Sequence, residues 1–326
     1  MQRDYYIDFL RALGLLLLVV AHTWAPEWLA NIRTFDVPLM VFISSICYKP
    51  LGGYLAYCKR RFKRIYIPVF VFLSIFFISE VIAYFFFGKP RILPYTTILG
   101  SFMLLNSPSI GYVWIMRIFL MMAFLVPVWE MILRQCGFKP TIIIVVVLLF
   151  LQQILVTGVN SVDNKIIRFI LDETLLYANG YSVIAIIGLK VRQFSQRELT
   201  VLIGLLLVLT LLFVGYKHWI FDPQAYKYPP RSLYILYGLL VSCILWAARS
   251  VIHSFPKIRF VTYLSENSMW IYLWHIIPVY MISPWATVPN MWFGRYCVVL
   301  VVALSLNYTY QQVIRKFPHK IYKAIR

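Results

Sequence analysis

Charged residues are scarce in this sequence. They make up 13% of its 326 residues, and acidic residues are the rarer kind, with 12 Asp and Glu against 31 Lys and Arg. Hydrophobic residues make up 61%, which is more apolar surface than a water-soluble domain of this length can bury. The composition therefore excludes an ordinary soluble protein and predicts an integral membrane protein.

The sequence also lacks a cysteine pattern. Its five cysteines are widely spaced and form no Cys-x-x-Cys pair, so it predicts neither a disulfide framework nor a zinc site, and we expect no metal. Internal repeats, low-complexity tracts and loops long enough to fold alone are missing too. We therefore expect residues 1–326 to form a single transmembrane domain.

The net charge of +19 would suggest nucleic-acid binding in a soluble protein. Here the Lys and Arg residues fall in clusters between apolar runs, where they meet lipid headgroups and fix the orientation of the chain. We therefore expect membrane lipids among the partners, and no nucleic acid. The first apolar run, 7–24, has no obvious cleavage site, so we expect an uncleaved first helix.

Runs of about 20 apolar residues can cross the hydrocarbon layer, and the sequence has about ten of them. The predicted fold is therefore all-α, a polytopic bundle of about ten transmembrane helices. The second run contains Lys49 and Pro50, so we expect it to end early, with 54–66 as a basic amphipathic segment on the membrane surface. The predicted spans are 6–25, 36–54, 66–87, 112–133, 140–157, 174–190, 199–216, 232–249, 260–282 and 292–314.

The orientation follows from the Lys and Arg residues of alternate loops. One set of loops carries about twice as many of these residues as the other, which predicts that both termini are cytoplasmic. The sparser, outer set contains Arg33, Lys89, Arg91, Lys165, Arg168, Lys217, Lys227, Arg231 and Arg295. The richer, cytoplasmic set includes Arg3, the run from Lys59 to Arg64, and the basic residues from Arg315 to Arg326.

Several ionisable side chains lie inside predicted spans, where each is costly and so marks a candidate functional site. Arg11 and His22 are eleven residues apart, about three helical turns, which places both on one face of the first helix. We expect His275 to lie at a depth in the membrane similar to that of His22, and Arg117 to lie in the same outer half of the membrane. The alternative is structural: Asp8 can pair with Arg11, and either histidine can be an ordinary packing residue.

A dense basic run contains Lys59, Arg60, Arg61, Lys63 and Arg64. Anchoring to the cytoplasmic headgroups explains such a run without any ligand. The functional alternative is a patch that binds the phosphate groups of a cytoplasmic donor, to which arginine side chains are well matched.

Five segments of the chain resemble the acyltransferase-3 family of membrane O-acyltransferases. The first is IDFLRALGLLLLVVAHT from Ile7 to Thr23, with an arginine, ten residues and then a histidine. In one respect the chain departs from the family, since Ser45 stands where glycine is common. The other four segments are FDVPLMVFISS (Phe35 to Ser45), RRFKRIYIP (Arg60 to Pro68), YVWIMR (Tyr112 to Arg117) and LSENSMWIYLWH (Leu264 to His275).

This resemblance implies an O-acetyltransferase that uses cytoplasmic acetyl-CoA and a carbohydrate acceptor. The acceptor would be a capsular, exopolysaccharide or other cell-surface glycan, or its lipid-linked precursor, and the location the bacterial inner membrane. Some relatives carry a fused SGNH-type domain. The sequence has no such segment, so the membrane unit would complete the transfer or pass the group to another protein.

The resemblance also implies roles for individual residues. His22 would be a general base or a transient acyl carrier, and Arg11 would position the donor. Arg60, Arg61 and Arg64 would contact the CoA phosphates, while Trp114, Arg117, Tyr272 and His275 would shape the acceptor end. A transporter or flippase for a lipid-linked glycan is the rival interpretation, although the sequence lacks the paired Gly/Pro interruptions that would favour it.

Overall fold

The computed structural model of the protein describes residues 3–50, 52–87, 93–249, 257–283 and 291–315. Within these ranges the regular secondary structure is helical, and there is no strand. Outside these ranges lie Lys89, Arg91 and the basic residues from Lys316 onward, all of which were counted in predicting the orientation. The helices are α1 (Tyr5–Val20), α2 (Glu27–Ile32), α3 (Asp36–Ile46), α4 (Tyr54–Phe87), α5 (Tyr95–Phe102), α6 (Trp114–Leu133), α7 (Phe138–Asn160), α8 (Lys165–Leu171), α9 (Tyr177–Lys190), α10 (Gln196–Tyr216), α11 (Ser232–Ala247), α12 (Arg259–Glu266), α13 (Ser268–Ile282) and α14 (Trp292–Ile314).

The predicted number of spans is confirmed. Seven helical runs in the described ranges are long and apolar enough to cross a membrane, at 27–46, 54–86, 114–133, 138–160, 165–193, 196–216 and 292–314. Three shorter helices, α1, α11 and α13, coincide with the remaining predicted spans. The protein is therefore an all-helical integral membrane protein.

The second span ends early, at Ile46, as expected, but it begins earlier than predicted, at Glu27. Other predicted boundaries also differ from the structure. The segment 54–66 is not a separate surface helix, because it is continuous with the third span in the 34-residue helix α4. The ninth span is interrupted at Asn267, and α1 ends at Val20, so that His22 lies in the turn that follows the helix.

The chain divides into two compact units. The first comprises residues 1–21, 25–50 and 124–266, and the second comprises 22–24, 51–123 and 267–326. Arg11 therefore belongs to the first unit, whereas His22, with the two residues after it, belongs to the second.

Helix α3 is central to the first unit, where α9 approaches it closely. A Cβ atom on Gly188 of α9 would lie 2.6 Å from the carbonyl oxygen of Phe42 and 2.9 Å from the Cβ of Ser45. Only glycine permits this contact between the two helices. The absence of glycine at position 45 therefore does not prevent close packing, because the glycine is on the facing helix.

A buried group of charges fixes the loop before α11 to the start of α3. The carboxylate of Asp36 accepts a hydrogen bond from Arg33 Nη1 at 2.6 Å and lies 3.7 Å from Lys227 Nζ. All three side chains are almost completely buried. Burial lowers the pKa of Lys227 to about 8, although Asp36 opposes this effect.

The expected pair between Asp8 and Arg11 is not formed among the described residues. Asp8 instead accepts hydrogen bonds from Arg3 and from Ser265, the latter at 2.7 Å. Arg3 also bonds to Glu266. The pair that the sequence allowed does not form because Arg3, five residues earlier, and Ser265, distant in sequence, satisfy the carboxylate of Asp8.

Candidate active site

Two histidines from distant parts of the sequence meet in the second unit. Nδ1 of His22 lies 2.8 Å from Nε2 of His275. The ring planes differ by 19° and the ring centroids are 5.0 Å apart. The two rings are therefore nearly coplanar, and the edge of one meets the edge of the other. His275 is completely buried, whereas His22 is partly exposed. His22 is therefore the member of the pair that a substrate can reach.

The backbone of α13 determines which nitrogens carry protons. Nδ1 of His275 is hydrogen-bonded to the carbonyl oxygen of Tyr272, and because a carbonyl can only accept, this nitrogen must donate. In a neutral His275 the other nitrogen, Nε2, then accepts the proton of His22 Nδ1. A neutral His22 bonded in this way has its lone pair on Nε2, which is the arrangement required of a general base or a nucleophile.

Tyr112 packs against the histidine pair from the loop before α6. Its ring meets that of His22 edge to face, with centroids 4.7 Å apart, and lies 6.3 Å from the ring of His275. The hydroxyl of Tyr272 donates to the backbone carbonyl of Tyr112 at 2.5 Å. Burial raises the pKa of the Tyr112 hydroxyl. The aromatic contacts restrict the orientation of His22 and exclude water from one side of it.

The loop that carries Tyr112 is itself fixed to α5. The backbone N–H of Ile110 donates to the hydroxyl of Ser101 at 2.9 Å. Gly100 lies so close to Pro108 that a Cβ atom would overlap the carbonyl oxygen of that proline. The loop can therefore lie against α5 only because position 100 has no side chain.

Arg295 holds the turn that contains His22. From the first turn of α14 its Nε donates to the carbonyl of Thr23 at 3.2 Å and its Nη2 to the carbonyl of Trp24 at 3.4 Å. The guanidinium also lies over the ring of Trp24, 5.8 Å from its centroid. Trp24 has φ = 52°, a left-handed conformation that costs a non-glycine residue about 1–2 kcal/mol. The two hydrogen bonds offset this cost.

The three arginines predicted to bind phosphate differ in their surroundings. Arg60 and Arg64 are exposed and lie one turn apart on one face of α4. Arg61 is partly buried, and its Nε donates to the Tyr57 hydroxyl at 3.1 Å. Arg60 and Arg64 are therefore the more solvent-exposed of the three arginines.

The same helix connects these arginines to the level of the histidines. The ring of Phe72 in α4 meets that of Trp274, the neighbour of His275, edge to face at 5.7 Å. Phe72 is twelve residues beyond Arg60 and eight beyond Arg64, which corresponds to about 18 Å and about 12 Å along the axis.

The other predicted site residues have different positions. Trp114 is buried and Arg117 partly buried in the first turn of α6, which follows the loop of Tyr112. Arg11 is partly buried in α1 and belongs to the first unit. Within the second unit the structure thus brings together His22, Tyr272 and His275.

Sequence reasoning missed two residues of this site. Tyr112 is the first residue of the segment YVWIMR, but a tyrosine at that position did not by itself indicate a role in the site. Arg295 was counted among the outer-loop residues, although it lies in the first turn of α14 and is 8% exposed. Its position at the beginning of an apolar run could have indicated a buried arginine, and a buried arginine requires hydrogen-bond partners.

A comparison with known families agrees with the resemblance seen in the sequence. The acyltransferase-3 family model, described as an acyltransferase domain, matches residues 4–310. The matched range includes both histidines of the pair, Arg60, Arg61, Arg64 and Arg295, and segments of both compact units. No curated protein and no solved structure matches the chain.

Proposed function

The chain belongs to the acyltransferase-3 family, and from this membership we propose that it transfers acetyl from cytoplasmic acetyl-CoA to a hydroxyl group of a glycan. We take the acceptor to be a capsular, exopolysaccharide or other cell-surface polysaccharide or its lipid-linked precursor, and the location to be the bacterial inner membrane. The observation that carries the mechanism is the hydrogen bond between the partly exposed His22 and the buried His275.

In the proposed reaction, Nε2 of His22 takes the proton of the acceptor hydroxyl as its oxygen attacks the thioester carbonyl. The carbon–sulfur bond breaks, and the departing CoA sulfur receives the proton from His22. The products are the O-acetylated glycan and free CoA. His275 holds His22 in the required tautomer, so that the proton moves at Nε2.

A two-step variant of the reaction uses the same nitrogen. Nε2 of His22 would attack the thioester carbonyl and take the acetyl group as the carbon–sulfur bond breaks and CoA leaves as its thiolate. The acceptor hydroxyl would then attack the acetylated imidazole, which frees Nε2, and its proton would pass to the CoA thiolate. The two variants differ in one observable, because only the second gives an acetylated enzyme when donor is supplied without acceptor. Mass spectrometry of the quenched protein distinguishes them.

The donor would approach from the cytoplasmic side of the membrane. The exposed side chains of Arg60 and Arg64 are suited to the CoA phosphates, since guanidinium groups form paired, charge-assisted hydrogen bonds with phosphate. We place this end of α4 in the cytoplasm because its basic residues belong to the richer set of loops. Both chain termini would then be cytoplasmic.

The test of this proposal compares His22→Ala with His218→Ala in membranes that contain equal amounts of each protein. His218 is exposed, lies in the loop after α10 and has no part in the proposed reaction. With labelled acetyl-CoA and a glycan acceptor, we expect acetylated product from the wild type and His218→Ala, and none above background from His22→Ala.

Full activity of the His22→Ala protein would refute the assigned role of His22. Movement of a lipid-linked glycan across the membrane without acetylation would instead support a transporter or flippase.

A further inference from the structure

Three aromatic side chains in the second unit form a cluster with unused hydrogen-bonding groups. Trp270 and Trp274 lie one turn apart on α13, with ring centroids 5.9 Å apart. The ring of Tyr310 from α14 lies against both, at 4.2 Å from Trp270 and 5.5 Å from Trp274. Among the residues that the structure describes, neither indole N–H nor the Tyr310 hydroxyl has a hydrogen-bond partner, although all three polar atoms are buried.

Buried hydrogen-bonding groups without a partner are unusual. An indole nitrogen can only donate, and Trp270 and Trp274 are 4% and 8% exposed, so water is largely excluded from both. A buried donor left without an acceptor destabilises the folded state, and folded proteins contain few such groups. Two of them on successive turns of one helix suggest donors reserved for a ligand that brings its own acceptors.

The position of the cluster indicates which ligand that is. Trp274 touches Phe72 of α4, which lies beyond the exposed Arg60 and Arg64, and it directly precedes His275. Trp270 is one turn further from His275 along α13. The two indoles are therefore located where a chain would pass if its phosphates were at the arginines and its reactive end at the histidines.

We propose that Trp270, Trp274 and Tyr310 bind the pantetheine arm of the acyl-CoA donor. This inference rests on the proposed function. The arm has two amide carbonyls, which can accept hydrogen bonds from the two indoles, and its methyl and methylene groups suit the faces of aromatic rings. Tyr310 is the most exposed of the three residues, and rotation of its side chain gives the arm access to the indoles.

The experiment uses Trp270→Phe and Trp274→Phe, which keep an aromatic ring and remove the N–H group. The control is Trp28→Phe, at a residue that is 61% exposed in the first unit. Two ligands are compared by titration of the purified full-length protein. CoA contains the arm, whereas adenosine 3′,5′-bisphosphate retains the ribose phosphate and base but lacks it.

We expect each Phe substitution in the cluster to weaken CoA binding by about three- to tenfold, the value of one hydrogen bond. Binding of adenosine 3′,5′-bisphosphate should not change, and Trp28→Phe should affect neither ligand. The comparison of the two ligands distinguishes a contact with the arm from a general loss of structure, because a general loss would weaken the binding of both.

Two results would overturn the inference. The first is unchanged CoA affinity in both Phe variants, and the second is an equal loss of affinity for both ligands. Each of these leaves the proposed acetyl transfer intact. A wild-type protein that binds no CoA at all would instead refute the donor assigned under the proposed function, and this inference with it.

Discussion

Arg295 donates a hydrogen bond to the carbonyl oxygen of Thr23, the residue that directly follows His22. The bond extends from the first turn of α14 to a turn in which Trp24 has a left-handed backbone. The orientation of His22 therefore depends on a side chain that is more than 270 positions away in the sequence.

Replacement of Arg295 by Gln should lower kcat for acetyl transfer about ten- to a hundredfold, because a small displacement of a catalytic group has effects of this size. The KM for acetyl-CoA should change little, since the arginines of α4 are untouched. Kinetics with varied acetyl-CoA measure both parameters. Arg315→Gln is the matched control, as Arg315 is exposed at the other end of the same helix.

A second substitution separates this role from a general structural one. Glycine adopts positive φ at no steric cost, so Trp24→Gly combined with Arg295→Gln should recover part of the lost kcat. Equal activity of the single and double variants would count against a role of Arg295 in holding the turn.

Arg60 and Arg64 should contribute more than Arg61 to binding of the donor. Arg60→Gln and Arg64→Gln should each raise the KM for acetyl-CoA about three- to tenfold at low salt, and the difference from wild type should shrink as salt is added. Arg61→Gln should have a smaller effect, because its Nε is bonded to Tyr57. The same KM for all three variants would indicate that the exposure of these side chains does not determine donor binding.

Gly188→Ala should destabilise the first unit, because the added methyl group would lie 2.6 Å from a backbone carbonyl that cannot rotate away. A cost of about 1–3 kcal/mol is typical of overpacking. Gly204→Ala in α10 is the control, since nothing lies within 4 Å of a Cβ atom at that position. Thermal unfolding in detergent should show a lower midpoint for Gly188→Ala and no decrease for Gly204→Ala.

The buried Lys227 should make stability depend on pH in the alkaline range. Burial lowers its pKa to about 8 from the usual 10.5, so between these values the unfolded chain binds more protons than the folded protein. The free energy of unfolding should therefore rise with pH from about 8 to about 10.5, by about 3 kcal/mol if no other group titrates. Denaturant unfolding of wild type and Lys227→Met should show this rise only in the wild type.

Much of the architecture could be predicted from local sequence. Apolar runs of sufficient length identify the ten spans, because a membrane leaves few alternatives to a helix. The shared depth of His22 and His275 followed from counting residues along two spans. The ends of α1 and α3 and the continuity of α4 did not follow, since helix ends depend on contacts more than on composition.

The contacts of the site were less predictable. Asp8 had a plausible partner one turn away, but the structure pairs it with Arg3 and Ser265. The role of Arg295 depends on two backbone carbonyls, and carbonyls occur at every position, so no residue type in the sequence signals them. Contacts of this kind become visible only when distant segments are placed together.

The length of α4 has a consequence for the setting in which the protein works. Its 34 residues extend about 51 Å, well beyond a hydrocarbon layer of about 30 Å. If the excess is at its basic end, Arg60 and Arg64 stand among the phospholipid headgroups, whose phosphates resemble those of the donor. Anionic lipid would then act as a competitive inhibitor, and the apparent affinity for acetyl-CoA would be a property of the bilayer as much as of the protein.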